Sequence, residues 1–437
     1  VSRLVEIVAP AHMGTGFRRL MVSSWLTNLA DGIGIAAGPL LVASQTDDPL
    51  LIASAALMVW LPPLVFGLYA GVIADRLDRR LVVAFVNVAR AVVLAVLCAA
   101  IITDAASVAV VLASLFILGT AEVFADTTTT TLLPMLVDHD DLGVGNARLT
   151  TGVITLNQLA GPPIGAALFA TGMAWPFAAE VVLLVLGAVL VSRLVLPSHD
   201  RPTQARRTAR VEIAEGFRWT WNHTAVRTLV LTIFTFNIAF GAAWSVLVLY
   251  ATERLRLDEV GFGLLTTLMA IGGFVGTASY GWITRHLSLG NIMRIGLIIE
   301  TLTHLGLALT RSPVLAGGIF VAFGAHAFIW GTTSVTVRQR AVPSRLQGRV
   351  TSVNTVGVFG GLVIGSGIGG LLARQWGVTA PFWFAFAGSA LFVLLIWRHL
   401  VHIAHSDNAS SGDDFARSGD GDRLDDEVLH APTLHAE

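Results

Sequence analysis

The chain contains no lysine, one cysteine and only 13% charged residues among its 437. A soluble domain carries about 25% charged residues and needs them to wet its surface. This shortfall excludes an ordinary soluble enzyme, a nucleic-acid-binding module and a disordered chain. The single Cys98 leaves no disulfide framework and no cysteine-based zinc site. Without lysine there is no Gly-xxxx-Gly-Lys loop to cradle phosphates, so a built-in P-loop ATPase of the usual kind is excluded. No catalytic triad or metal cluster stands out, and no enzyme activity, metal or cofactor is expected. No cleavable signal is expected before the first apolar run either, because Phe17-Arg18-Arg19 leads directly into it.

What the chain has is apolar length, with 54% of its residues hydrophobic. Segments long enough to cross a bilayer fall at about 18–43, 50–74, 81–102, 107–133, 147–171, 175–196, 227–251, 260–284, 291–310, 313–337, 350–373 and 380–402. Lipid offers backbone groups no hydrogen-bond partner, so each segment must be a helix. The expected fold is an all-α membrane protein of twelve transmembrane helices.

Charge is unevenly spread. The tail from Ser406 to Glu437 holds 9 acids and 2 Arg, whereas the remainder holds 20 acids and 26 Arg. With the N-terminus inside, 23 of the 28 Arg fall on the cytoplasmic side, and only Arg254, Arg256, Arg311 and Arg374 lie outside. By the positive-inside rule both termini are expected in the cytoplasm, in a multi-pass protein of the cell membrane. The lipid bilayer is the expected partner, with no nucleic acid, and a monomer is expected.

The longest internal break, 197–226, opens with loop composition and continues from Val211 as an amphipathic, aromatic- and Arg-bearing helix. It separates two similar halves. Asn28-Leu-Ala-Asp-Gly aligns with Asn237-Ile-Ala-Phe-Gly, Gly71 with Gly281, Pro134 with Pro343, and Gly161-Pro-Pro-Ile-Gly with Gly365-Ser-Gly-Ile-Gly, at separations of 209, 210, 209 and 204. The chain therefore divides into a six-helix bundle at 1–196, a cytoplasmic linker at 197–226, a second six-helix bundle at 227–402 and a disordered acidic cytoplasmic tail at 403–437. Two pseudo-symmetric bundles around a central path are the architecture of alternating-access transporters.

Ionisable residues inside the membrane are costly, by roughly 2.5–3.5 kcal/mol or more each, and mark functional sites by default. Asp31 lies about 20 Å into the first span, near mid-membrane, with Asn28 one turn earlier on the same face. A carboxyl there can load and release a proton; the alternative is a structural acid paired with Arg90. Arg90 in the third span and Glu122 in the fourth lie at similar depths, and Arg90 is expected to pair with Glu122, Asp31 or Asp126. The Thr127–Thr131 run reads as helix whose hydroxyls bond to the preceding turn. Glu180 is expected near the outer face, reaching water. Glu300 and His304 share a face at i, i+4 spacing in the ninth span, and His326 sits mid-span in the tenth; these are secondary candidates for moving protons.

The clearest local pattern follows the second span: Gly71-Val-Ile-Ala-Asp75-Arg76-Leu-Asp78-Arg79-Arg80. Gly71 permits close helix approach, Asp75 suits another helix's N-terminus, and Arg76, Arg79 and Arg80 can bind carboxylates or lipid phosphates. This stretch resembles motif A, the signature of the major facilitator superfamily, with Asp78 where the family has Gly. The resemblance extends over about 17–402. The segments Asn28-Leu-Ala-Asp31-Gly32, Thr46-Asp-Asp-Pro-Leu50, Asn146-Ala-Arg148-Leu149 and Asn157-Gln-Leu-Ala-Gly-Pro-Pro-Ile-Gly165 resemble its enterobactin-exporter-like and macrolide-efflux-like branch. It implies that Asp75 latches the eleventh helix in the outward-facing state and that Asp126 completes the relay. The copy in the second half keeps Gly281 but has Arg285 in place of the acid. Gly152, Gly161, Pro162, Pro163 and Gly165 in the fifth span resemble the antiporter signature, motif C, with Asn157 where a further Gly is usual. That resemblance favours export over import.

The resulting expectation is a proton-coupled exporter of a small amphipathic molecule, such as a drug or siderophore, energised by the proton gradient. The alternatives are an uptake permease or facilitator of the same fold, and a non-transporting receptor or scaffold.

Overall fold

The computed structural model describes residues 11–196 and 209–397, except the side chains at 11, 68, 71–76, 209–213 and 345. The expected tail at 403–437 and the first part of the linker, 197–208, lie outside the described residues. The first half comprises α1 (Gly14–Ala43), α2 (Pro49–Arg76), α3 (Arg79–Ile102), α4 (Val108–Thr130), α5 and α6 (Trp175–Ser192). Helix α5 is one rod in three pieces, Leu142–Gly152, the π-helical Val153–Ala160 and Gly161–Thr171. The linker carries α7 (Ala209–Asn222). The second half comprises α8 (Thr224–Trp244), α9 (Glu259–His286), α10 (Leu289–Leu309), α11 (Pro313–Ala341), α12 (Gln347–Trp376) and α13 (Ala380–Ile396). The expected seventh span breaks after Trp244 and resumes as Leu247–Leu249 and the π-helical Tyr250–Arg254.

Among the described residues, eleven segments are long and apolar enough to cross a membrane, and α13 is a shorter apolar helix. Several start at side chains that satisfy the free N–H groups of a first turn. Ser107 caps α4, Asp258 α9, Ser288 α10 and Ser312 α11. Asp78 caps α3 by accepting from the N–H groups of Arg80 and Leu81. The residue that departs from the family's Gly thus has a structural task of its own.

Short connections force successive spans to alternate in direction. Arg19, near the start of α1, donates to the Arg193 carbonyl just beyond α6 at 2.7 Å; this end of the bundle is the terminal face. Asp48, before α2, lies 3.7 Å from Arg374 at the end of α12; this end is the distal face.

Both halves use the same helix pairs. Helix α1 packs on α5, α2 on α4 and α3 on α6; in the second half α8 packs on α12, α9 on α11 and α10 on α13. Missing side chains permit the first of these contacts in each half. A Cβ on Gly165 would stand 2.3 Å from the Ile33 carbonyl oxygen, and one on its aligned Gly369 would stand 2.1 Å from that of Ala242. Neither space admits a methyl group, which is why the aligned glycines recur.

The halves meet through α2 against α12 and α5 against α9. Gly370 packs on Leu50 and Ala53, and Gly263 packs on Ala166 and Pro162. Pro162 and Pro163 have no N–H to close helical bonds to the Gln158 and Leu159 carbonyls. Thr267 Oγ1 of the other half lies 3.2 Å from the Leu159 carbonyl, sharing its one proton between that oxygen and the Gly263 carbonyl of its own helix at 3.1 Å. Each of these contacts lies between the distal face and mid-depth.

Candidate functional site

Three elements bring the polar residues together at mid-depth. Helix α1 carries Asp31, α3 carries Arg90 and α4 carries Glu122. Asp31 Oδ1 accepts a hydrogen bond from Arg90 Nη2 in a buried ion pair, with side-chain exposures of 7% and 5%. Of the three partners expected for Arg90, Asp31 is the one it binds.

This pair lines a cavity of about 400 Å³ between the halves. Asp31, Trp60, Arg90, Glu122, Asn157 and Glu180 face it from the first half; Trp244, Ser245, Phe262 and Thr266 face it from the second. The volume lies within the range of small-molecule sites, and the lining has their usual composition, apolar with a few convergent polar groups. Asn157 reaches the cavity from the π-helical part of α5, a geometry frequent at functional sites.

Glu180 corrects the expectation of an acid that reaches water near the outer face. It is buried at 4% exposure and lines the same cavity. It packs beside Gly34 of α1, one turn beyond Asp31, where a Cβ would lie 3.4 Å from Glu180 Oε2, in ordinary contact. Its Oε1 has no hydrogen-bond partner among the described residues.

Arg90 also borders a second, much smaller space of about 20 Å³ toward the terminal face, shared with Ser24, Asn28, Asn87, Asp126 and Thr129. Asn28 donates to the Ser24 carbonyl at 2.8 Å. Asp126 therefore lies on the terminal side of the guanidinium, whereas Glu122 and Glu180 share the central cavity with it. The following threonines behave as expected: Thr128, Thr130 and Thr131 each bond back to a carbonyl of the preceding turn.

The motif A segment ends α2, and Gly71, Asp75 and Arg76 lie outside the described side chains. Arg79 and Arg80, expected to meet carboxylates or lipid phosphates, also hold backbone carbonyls. Arg79 donates to Thr131 O at 3.4 Å, and Arg80 donates to Leu194 O at 3.0 Å, bracing α3 against the ends of α4 and α6. The motif C residues seat α5 on α1 beside Asp31. A Cβ on Gly161 would lie 2.5 Å from Gly32 Cα, and one on Gly152 would strike the Trp25 ring at 2.2 Å.

In the second half, Glu300 turns away from His304. It lies 3.5 Å from His326 Nε2, across α10 and α11. His304 is fully buried, 6.1 Å from the Trp244 ring in an edge-on arrangement. The i, i+4 spacing on α10 therefore does not join the two residues it suggested. Trp60, Phe240 and Trp244 were not singled out by sequence, since an aromatic in an apolar run looks the same facing lipid or cavity. Phe240 stacks on Trp244 at 4.3 Å and approaches Trp60 of the other half at 6.4 Å.

Comparisons with known proteins agree with this architecture. The family model described as Major Facilitator Superfamily matches residues 20–359 and 229–418. The chain is 23% identical over 368 residues to macrolide efflux protein A of Streptococcus pyogenes, spanning 81% of this chain and 88% of that one. It is 25% identical over 334 residues to a protein of Bacillus subtilis named as the bacilysin exporter BacE, spanning 75% and 81%. Among solved structures, the nucleoside transporter NupG superposes with a TM-score of 0.70 at 12% identity, covering 89% of this chain and 100% of NupG. A bacterial homologue of the iron transporter ferroportin, captured inward-facing, superposes at 0.69 with 17% identity, covering 89% and 98%. With twelve apolar helices in two like-paired bundles and a cavity between them, this chain belongs to the major facilitator superfamily: it is a multi-pass membrane transporter.

Proposed function

We propose that the protein exports a small amphipathic molecule across the cytoplasmic membrane in exchange for protons, by alternating access. One observation carries this reading: the buried Asp31–Arg90 pair shares a cavity between the halves with two further carboxyls, Glu122 and Glu180. A single guanidinium balances one carboxylate, and a proton can serve as the counter-charge for the others. Protonation of Asp31 releases Arg90, which borders both cavities and can then turn toward Glu122 or Asp126. The occupancy of one acid thereby becomes a change in the walls of the cargo site.

The Arg distribution puts the terminal face in the cytoplasm. The inter-half contacts at Gly370, Gly263 and Thr267 then close the outer side. Export is favoured by the motif C segment and by relatives named for macrolide efflux and bacilysin export. A small amphipathic cargo suits the cavity's lining, apolar with a few polar groups.

In proteoliposomes with an imposed pH gradient, Asp31→Asn should keep substrate exchange and lose gradient-driven accumulation by at least about tenfold, the cost of roughly 1.4 kcal/mol in coupling. Full gradient-driven accumulation by that variant would refute the coupling role. Failure of the unmodified protein to exchange any amphipathic solute would favour the receptor reading. By the family resemblance, Asp75→Asn should lower turnover more than binding; equal binding loss at unchanged turnover would remove the latch role.

A further inference from the structure

The second half holds a half-open pocket of its own, about 260 Å³, bounded by α8, α9, α10 and α11. Its walls are aromatic: Phe236, Phe240, Phe323, Phe328 and Trp330. Its polar side is the Glu300 carboxyl, with 13% side-chain exposure, beside His326. Their separation of 3.5 Å exceeds the 2.7–2.9 Å of a charge-assisted hydrogen bond. The carboxyl therefore keeps most of its capacity for another positive group. Trp330 Nε1 is buried without a hydrogen-bond partner, a donor left open on the same wall.

We infer that this cavity is a second ligand site, selective for an organic cation that carries an aromatic or other apolar body. Aromatic faces attract a cation through their ring quadrupole, most strongly where water is excluded. A single carboxylate adds charge selectivity that the rings alone lack. Within the described lining there is no arginine, so Glu300 is opposed by His326 alone. The central cavity differs, because a guanidinium, that of Arg90, stands among its three acids and pairs with Asp31. Phe240 and Phe323 each approach Trp244, a wall residue of the central cavity, at 4.3 and 4.8 Å, so the two sites share an aromatic partition. That the ligand is cargo rests on the transport reading; that the site binds cations does not.

The test uses calorimetric titration of the purified full-length protein with two probes of similar size. One is benzyltrimethylammonium, and the other is the neutral N-benzylacetamide. The protein should bind the cation at least about tenfold more tightly. Glu300→Gln should abolish that preference while retaining the amide, and Asp31→Asn should leave it intact. Phe323→Leu, which keeps the carboxyl, should weaken the cation severalfold and serves as the second variant if Glu300→Gln does not fold. Equal binding of both probes by the unmodified protein, or an undiminished preference in Glu300→Gln, would overturn the proposal. So would loss of preference in Asp31→Asn alone, which would place the cation in the central cavity and leave the transport reading standing. Cation binding without counterflow in proteoliposomes would count against transport and leave this site in place.

Discussion

Asp31 in α1 and Phe240 in α8 stand at matching positions, 209 residues apart. Arg90 and Glu300 form a second match: they are 210 residues apart, the separation of Gly71 from Gly281. The first half therefore holds an acid and a guanidinium in tight contact where the second holds a phenyl ring and a carboxyl. Yet the backbones pair identically, and the same glycine contact joins α5 to α1 and α12 to α8. Duplication preserved what close packing demands and left the mid-depth side chains free to diverge. One half holds the acid–guanidinium pair at mid-depth, and the other holds an aromatic cluster beside a carboxyl.

The largest expected break in this comparison is Arg90→Met. It leaves Asp31 buried without its cation, a loss of about 3–5 kcal/mol. The double variant with Asp31→Asn should recover much of that stability. Across the pseudo-axis, Glu300→Gln keeps a hydrogen-bonding group and should cost only about 1 kcal/mol. Thermal melting in detergent measures both, and equal losses would show that the halves do not differ as described.

The next contrast is between glycines. Gly165→Val must push α5 off Ile33 and should cost at least about 1–3 kcal/mol through overpacking. Gly281→Val, where a Cβ meets nothing within 4 Å, should change the melting point by no more than about 0.5 kcal/mol allows. A smaller effect than at Gly165 is expected from Thr267→Val, which removes the hydroxyl that reaches across the halves. About 0.5–1.5 kcal/mol of distal closure is lost, read as a modest rise in outward-facing population by double electron–electron resonance across that face. No shift in the distance distribution would show that the bond does not bias the state.

Much of the fold was legible because the bilayer makes length and hydropathy decisive. Every expected span overlaps an observed helix, and the halves could be aligned through residues such as Gly165 and Gly369 that packing fixes. The site was legible only in part. Asp31, Arg90 and Glu122 stand out as charges in apolar runs, and their depths agree because rise per residue is constant. Glu180 was misread because distance from a span end says nothing about the helix face, and its face turns toward Gly34 and the cavity. The Glu300–His326 pair crosses between helices, whereas sequence spacing reveals only neighbours on one helix. The aromatic partition was invisible for a related reason: hydropathy scores a ring the same whether it faces lipid or ligand.

The π-helical stretch of α5 has a consequence for helical phase. An α-helix turns about 100° per residue, so positions nine apart, such as Gly152 and Gly161, should point in opposite directions. Both nevertheless face α1, one over Trp25 and the other over Gly32. The wider turns between Val153 and Ala160 absorb the mismatch. A helical wheel drawn straight through this segment would put half of the motif on the wrong side, and any insertion or deletion there should be judged by whether it restores or destroys that correction.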